Sequence, residues 1–142
     1  MKHELVVIKS ITIKANALQV WQAITNPELT KKYMYNSEVI SDWKTGSSIT
    51  WSDADTKKLH VKGVILNIEH GRYLETKDLS IDAALDDDES NYTRVIYQLR
   101  EENESTRLEV KEDNFNGDEK RYNDAENFWT TILKRIKELL EK

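Results

Sequence analysis

Cysteine is absent from the 142 residues, proline occurs once and glycine four times. Without cysteine there is no disulfide, no thiolate metal site and no thiol nucleophile, a composition that fits a reducing, cytoplasmic setting. The scattered glycines form neither a Gly-rich phosphate loop nor a Gly-x-Ser-x-Gly elbow, so nucleotide handling and serine acyl transfer have no visible apparatus. No apolar run approaches the roughly 20 residues of a membrane span. "MKHELVVIKSITIK" also lacks the uninterrupted apolar core and cleavage site of a signal peptide. Excess positive charge is missing too: a net charge of -5 argues against tight non-specific nucleic-acid binding, which draws on clustered Lys and Arg, and leaves room only for local basic faces. Neither nucleic acid nor a membrane interior is an expected partner.

Histidine is scarce and dispersed. His3, His60 and His70 fall in a frayed terminus, a strand and a turn, without the spacing of a metal or triad motif. The acidic run "DDDES" at 86–90 lacks the alternating ligands, turn glycine and distal Glu of a calcium loop, and reads as a solvated loop between strands. No metal and no cofactor is expected, and no residue is singled out as catalytic.

What the chain does contain is aromatic and patterned. Four Trp and six Tyr accompany 38% hydrophobic and 33% charged residues, which describes a folded globular chain. Its length fits a single domain over residues 1–142. "ELVVIKSITIK" alternates and is rich in β-branched residues, predicting a first strand. Asn16 stands three residues before Gln19, the spacing of a capping box, and predicts a helix over Ala17–Thr25. Asn26-Pro27 ends that helix and starts a second, "PELTKKY", because proline disfavours helical geometry in the residue before it yet suits a first helical position.

Six further strands are predicted in "SEVISDW", "SSITWSD", "LHVKGVILNIEH", "RYLETKDLSI", "YTRVIYQLRE" and "TRLEVKEDNF", joined by turn material such as "KTG", "HG" and "EENES". The tail then changes period. Tyr122, Ala125, Phe128, Trp129, Ile132, Leu133, Ile136, Leu139 and Leu140 recur at helical spacing, with Asn116 as the expected cap. The order is strand, two short helices, a run of antiparallel strands, one long helix. A sheet that buries one face has only the last helix to cover it, so an α+β, helix-grip arrangement follows: a curved antiparallel sheet of about six to seven strands wrapped around the terminal helix. The space between need not be filled by side chains, which makes a pocket available.

"ITIKANALQVWQAITNPELTKKYMYNSEVISDWKTGSSITW" resembles the start of the activator of heat-shock protein 90 ATPase homologues, members of the START-like (SRPBCC) helix-grip superfamily. That superfamily also holds polyketide cyclases, lipid-transfer domains and the major birch-pollen allergen. "TRVIYQLREENESTRLEV" is similar to the last hairpin and "FWTTILKRIKELLE" to the terminal helix. Val20, Trp21, Pro27, Trp43, Gly46, Trp51 and Trp129 carry the match. The resemblance implies the helix-grip fold and binding to the chaperone, heat-shock protein 90. The eukaryotic activators have a second, N-terminal domain for which this chain has no room.

Three functions stay open. The favoured one is a non-enzymatic protein, possible in a stress or chaperone setting, whose cavity takes a small apolar or amphipathic ligand. If Val95, Tyr97 and Leu99 share a face with Leu108 and Val110, that face points at the helix. Trp51, Tyr73, Tyr97, Trp129 and Leu133 are then the expected cavity lining, with Tyr33, Met34 and Tyr35 near an entrance, although each of these residues taken singly also suits plain core packing. The second is a co-chaperone stimulating the ATPase of heat-shock protein 90, with Lys31, Lys32, Lys57, Lys58, Lys134, Arg135 and Lys137 as exposed basic residues. The third is a cyclase-like enzyme, whose mark would be a buried Asp or Glu of raised pKa beside the pocket.

Overall fold

A computed structural model describes residues 4–142, so His3 lies outside the described residues. Seven antiparallel strands form one sheet in the order β1-β7-β6-β5-β4-β3-β2. They are β1 (Val7–Ile13), β2 (Ser37–Ser41), β3 (Ser48–Asp53), β4 (Leu59–Glu69), β5 (Tyr73–Ser80), β6 (Thr93–Glu102) and β7 (Ser105–Asp113). Two short helices, α1 (Ala17–Thr25) and α2 (Pro27–Tyr33), follow β1, and the long helix α3 (Glu119–Leu140) closes the chain. This is the helix-grip arrangement expected from the element order.

Local chemistry accounts for the boundaries. The Asn16 side chain accepts from the Gln19 amide while the Gln19 side chain accepts from the Asn16 amide, a complete capping box. Asn26 then serves both helices: its amide donates to the Gln22 carbonyl to finish α1, and its side chain accepts from the Glu28 amide to open α2 with Pro27 in the first turn. The β6–β7 hairpin turns on Asn103 and Glu104, both at positive φ (47° and 67°), the geometry of a two-residue turn that follows the strands' right-handed twist.

One expected cap is corrected. Asp118, not Asn116, caps α3, its side chain accepting from the Arg121 amide. Asn116 and Gly117 are both at positive φ (55° and 73°), so they form the bend that delivers Asp118 to the helix start.

The chain ends of the sheet meet through β1, which pairs with β7 along its whole length, from Val7↔Glu112 to Ile13↔Thr106. The end of α3 is tied to the same strand: Lys137 Nζ donates to the Thr12 carbonyl at 2.8 Å, and Glu141 accepts from the Lys14 amide at 2.9 Å. Between sheet and α3 lies a core that includes Val20, Trp21, Ala23 and Ile24 from α1, Leu108 and Val110 from β7, and Ile132, Leu133 and Ile136 from α3. Trp21 meets His70 of the β4–β5 turn edge-on at 6.0 Å, so that turn residue also packs. Among the described residues no helix is long and apolar enough to cross a membrane.

Candidate functional site

Strand parity decides what faces α3. On β6 the residues Val95, Tyr97 and Leu99 are buried, as are Leu108 and Val110 on β7. Continuing the same parity by two residues on β7 reaches Glu112, and on β5 the series Leu74, Thr76 reaches Asp78. Toward that end of the sheet the interior is not filled. A pocket of about 660 Å³ opens there between the strands and the first turns of α3, a size usual for small-molecule sites.

Aromatic rings make most of its wall. Trp51 on β3, Tyr97 on β6, and Phe128 and Trp129 on α3 line it, with Phe115 before the helix and Met34 and Tyr35 after α2. Trp129 packs edge-on against Tyr97 at 5.7 Å and Phe128 at 5.1 Å, the favourable T-shaped geometry. Tyr35 is largely exposed, and its ring is covered by the Arg135 guanidinium at 4.7 Å.

Two carboxyls occupy the floor. Glu112 accepts a hydrogen bond from the Trp129 indole N–H at 2.8 Å; burial pushes its carboxyl up, while that bond, Thr93 and the charge of Arg121 pull the other way. Asp78 has less support. Its Oδ1 is sealed from solvent, and among the described residues no donor reaches it. Burial, opposed by Thr76 and reinforced by the Glu112 charge, pushes Asp78 up to about 7. Its place depends on Gly63, its register partner on β4: a Cβ there would collide with Asp78 Oδ1 and with the Lys77 carbonyl. At the rim, His60 Nδ1 and Asp82 Oδ2 are 2.7 Å apart, and Arg121 donates to the Asn91 carbonyl at 3.0 Å. Among the described residues no group of three or more His, Asp or Glu is arranged to hold a metal ion.

Of the eight residues expected at a cavity, Trp51, Tyr97, Trp129, Met34 and Tyr35 come together around the pocket. The other three lie elsewhere. Tyr33 is buried under α1, its hydroxyl donating to the Ala23 carbonyl at 2.7 Å. Leu133 sits one helical turn beyond Trp129 in the packed core. Tyr73 has the parity opposite to Leu74, so it lies on the outer face with its hydroxyl on Glu75 and borders a charged depression there.

Sequence reasoning missed Asp78, Glu112, His60 and Arg121. A signal existed for the two carboxyls: both continue the inward parity of their strands, and Gly63 interrupts a run of strand-forming residues, a mark of close approach by another group.

The family model described as "Activator of Hsp90 ATPase homolog 1-like protein" matches residues 14–141. Among solved structures, ChR145 from Cytophaga hutchinsonii is 33% identical, covering 99% of this chain and 97% of that one, with a TM-score of 0.81. The Aha1 dimer from Colwellia psychrerythraea is 19% identical over 96% of each chain, TM-score 0.77. CalU16 from Micromonospora echinospora is 19% identical over 96% of this chain and 76% of that one, TM-score 0.73. The last two show likeness of fold alone. No curated protein matches the chain.

Proposed function

The chain belongs to the activator of Hsp90 ATPase homolog 1-like family, and from that premise and the pocket between sheet and helix we propose that it binds a small amphipathic molecule without transforming it. The observation that carries this reading is the make-up of the pocket: an aromatic wall of Trp51, Tyr97, Phe128 and Trp129 around two inward carboxyls. Apolar surface supplies affinity for such a ligand, and a few polar groups fix its orientation. The proposal keeps the cytoplasmic setting expected from composition.

Native mass spectrometry on gently purified protein, repeated after denaturation, tests it together with titration of the neutral fluorescent probe N-phenyl-1-naphthylamine. A mass excess lost on unfolding, or saturable one-to-one probe binding, supports the reading. A bare mass with no saturable fluorescence removes it.

Two other readings each have an observation behind them. The family description supports stimulation of the Hsp90 ATPase, tested by the chaperone's ATPase rate with and without this protein. Asp78, held near 7 beside the pocket, supports general acid–base catalysis, since a catalytic carboxyl works best when its pKa lies near the working pH. Turnover of a bound ligand that stops in Asp78→Asn is its test.

A further inference from the structure

The charges around the pocket are lopsided. Asp78, Asp82, Glu112 and Asp124 line it, against Arg121 and His60; Lys58 pairs with Asp82 and Lys120 with Asp124, which leaves the excess on Asp78 and Glu112. The Arg121 guanidinium donates one hydrogen bond to the Asn91 carbonyl and its charge bears on Glu112, and His60 is held by Asp82. An anionic headgroup entering beside Asp78 meets like charge, because the Arg121 guanidinium in the lining acts on Glu112. The aromatic wall has the opposite preference, because ring faces attract positive charge.

The floor adds a directional demand. Asp78 is set deep because Gly63 leaves it room, and Oδ1 finds no donor among the described residues. Glu112 has the Trp129 N–H for one oxygen. A buried carboxylate with one oxygen sealed and unbonded is costly to ionise, and a positive charge in the pocket beside it offsets that cost.

Resting on the reading of this pocket as a ligand site, we propose that its ligand carries a protonated amine on a flat apolar body, with the ammonium seated against Asp78 and Glu112 and the body against the aromatic wall. The groups that bear on Asp78 are Thr76 on its own strand, Tyr97 on β6, and Glu112 on β7. Arg121 and Asp124 on α3, with His60 and Asp82 at the rim, are further charged residues of the lining, and Lys120 and Lys58 pair with the two aspartates. An ammonium favours the ionised carboxyl. Below the Asp78 pKa, binding the amine must first expel the carboxyl proton, so affinity falls by up to about tenfold per pH unit as pH drops.

Three isosteric probes test this on the full chain by calorimetry at about pH 6 and about pH 8: 2-(2-naphthyl)ethylamine, 2-(2-naphthyl)ethanol and 2-naphthylacetic acid. The expected result is amine over alcohol by at least about tenfold at the higher pH, the value of a charge-assisted hydrogen bond, and the acid weakest. That advantage shrinks at the lower pH and falls several-fold in Asp78→Asn, a variant that keeps the shape of the side chain and removes its charge, with Glu112 supplying what remains. An amine no tighter than the alcohol, an acid that binds best, or an advantage unchanged in Asp78→Asn overturns the proposal. If N-phenyl-1-naphthylamine still binds, only the amine assignment falls; if neither that probe nor any of the three binds, the ligand-site reading falls with it. The comparison of the two pH values in unaltered protein stands even if the variant fails to fold.

Discussion

Along α3 the later turns press Ile132, Leu133 and Ile136 into the packed core, whereas the earlier turns hold Arg121, Asp124 and Phe128 along the pocket. The two regions handle polar groups differently. In the packed region the buried Tyr33 hydroxyl has the Ala23 carbonyl at 2.7 Å, and burial raises its pKa without leaving it unsatisfied. Beside the pocket, Asp78 keeps an oxygen with no donor among the described residues. The contrast separates the two ends: one holds the fold together with satisfied polar groups, and the other tolerates a polar group that destabilises it.

The comparison is broken most strongly by emptying the packed end. Trp21→Ala removes a ring that is 6% exposed, and a loss of about 3–5 kcal/mol is expected, as for large-to-small core changes. Denaturant unfolding that matches the unaltered protein would place Trp21 outside the core.

Next comes the pH dependence at the pocket end. Asp78 is raised from 3.8 to about 7, so between those values the folded state holds a proton that the unfolded chain has released. Stability is therefore fullest below the ordinary carboxyl value and falls as pH rises through about 7. The slope approaches 1.4 kcal/mol per pH unit at most, and the full loss is on the order of a few kcal/mol. Glu112, raised by burial, contributes in the same direction. Asp78→Asn should flatten this profile and be the more stable protein at about pH 8. Thermal unfolding of both proteins from about pH 4 to 8 checks this; parallel curves count against the burial of Asp78.

Gly63→Ala follows, at about 1–3 kcal/mol, the usual cost of overpacking. The Asp78 carboxyl can swing away from an added methyl, but the Lys77 carbonyl belongs to the paired strand, so β4 and β5 must separate locally. Amide exchange that is unchanged around Asp78 in a stable variant would contradict that placement.

The smallest effect is expected at Phe128, half-buried against Trp129 and Tyr35. Phe128→Ala should cost about 1–2 kcal/mol, less than a fully buried ring because part of its apolar area stays in contact with water, while weakening N-phenyl-1-naphthylamine binding several-fold. A variant that loses as much stability as Trp21→Ala would erase the distinction between the two regions.

Much of the fold is legible in the residues themselves. The capping box at Asn16, the Asn26-Pro27 break and the period of the last helix are short-range signals, written within a few residues of the feature they specify. Trp51, Tyr97 and Trp129 are legible as aromatics on the inward faces of their elements, and Met34 and Tyr35 as neighbours of the second helix's end. Tyr73 misleads, because its aromatic character suggests a lining role while the parity that sends Leu74 inward turns it out. Asn116 misleads in a similar way: its spacing from Glu119 is that of a cap, but such a signature does not reveal the left-handed turn that precedes Asp118.

By itself, then, the sequence determined which segments are strands and helices and which face of each is apolar, because those properties depend on neighbours along the chain. Tertiary structure alone decided the rest. The return of β1 to pair with β7, and the registers Gly63↔Asp78, Asp78↔Thr93 and Val95↔Glu112 that carry both carboxyls to one floor, join residues far apart in the chain. Their alignment follows from packing the sheet around one helix, and no local preference encodes it.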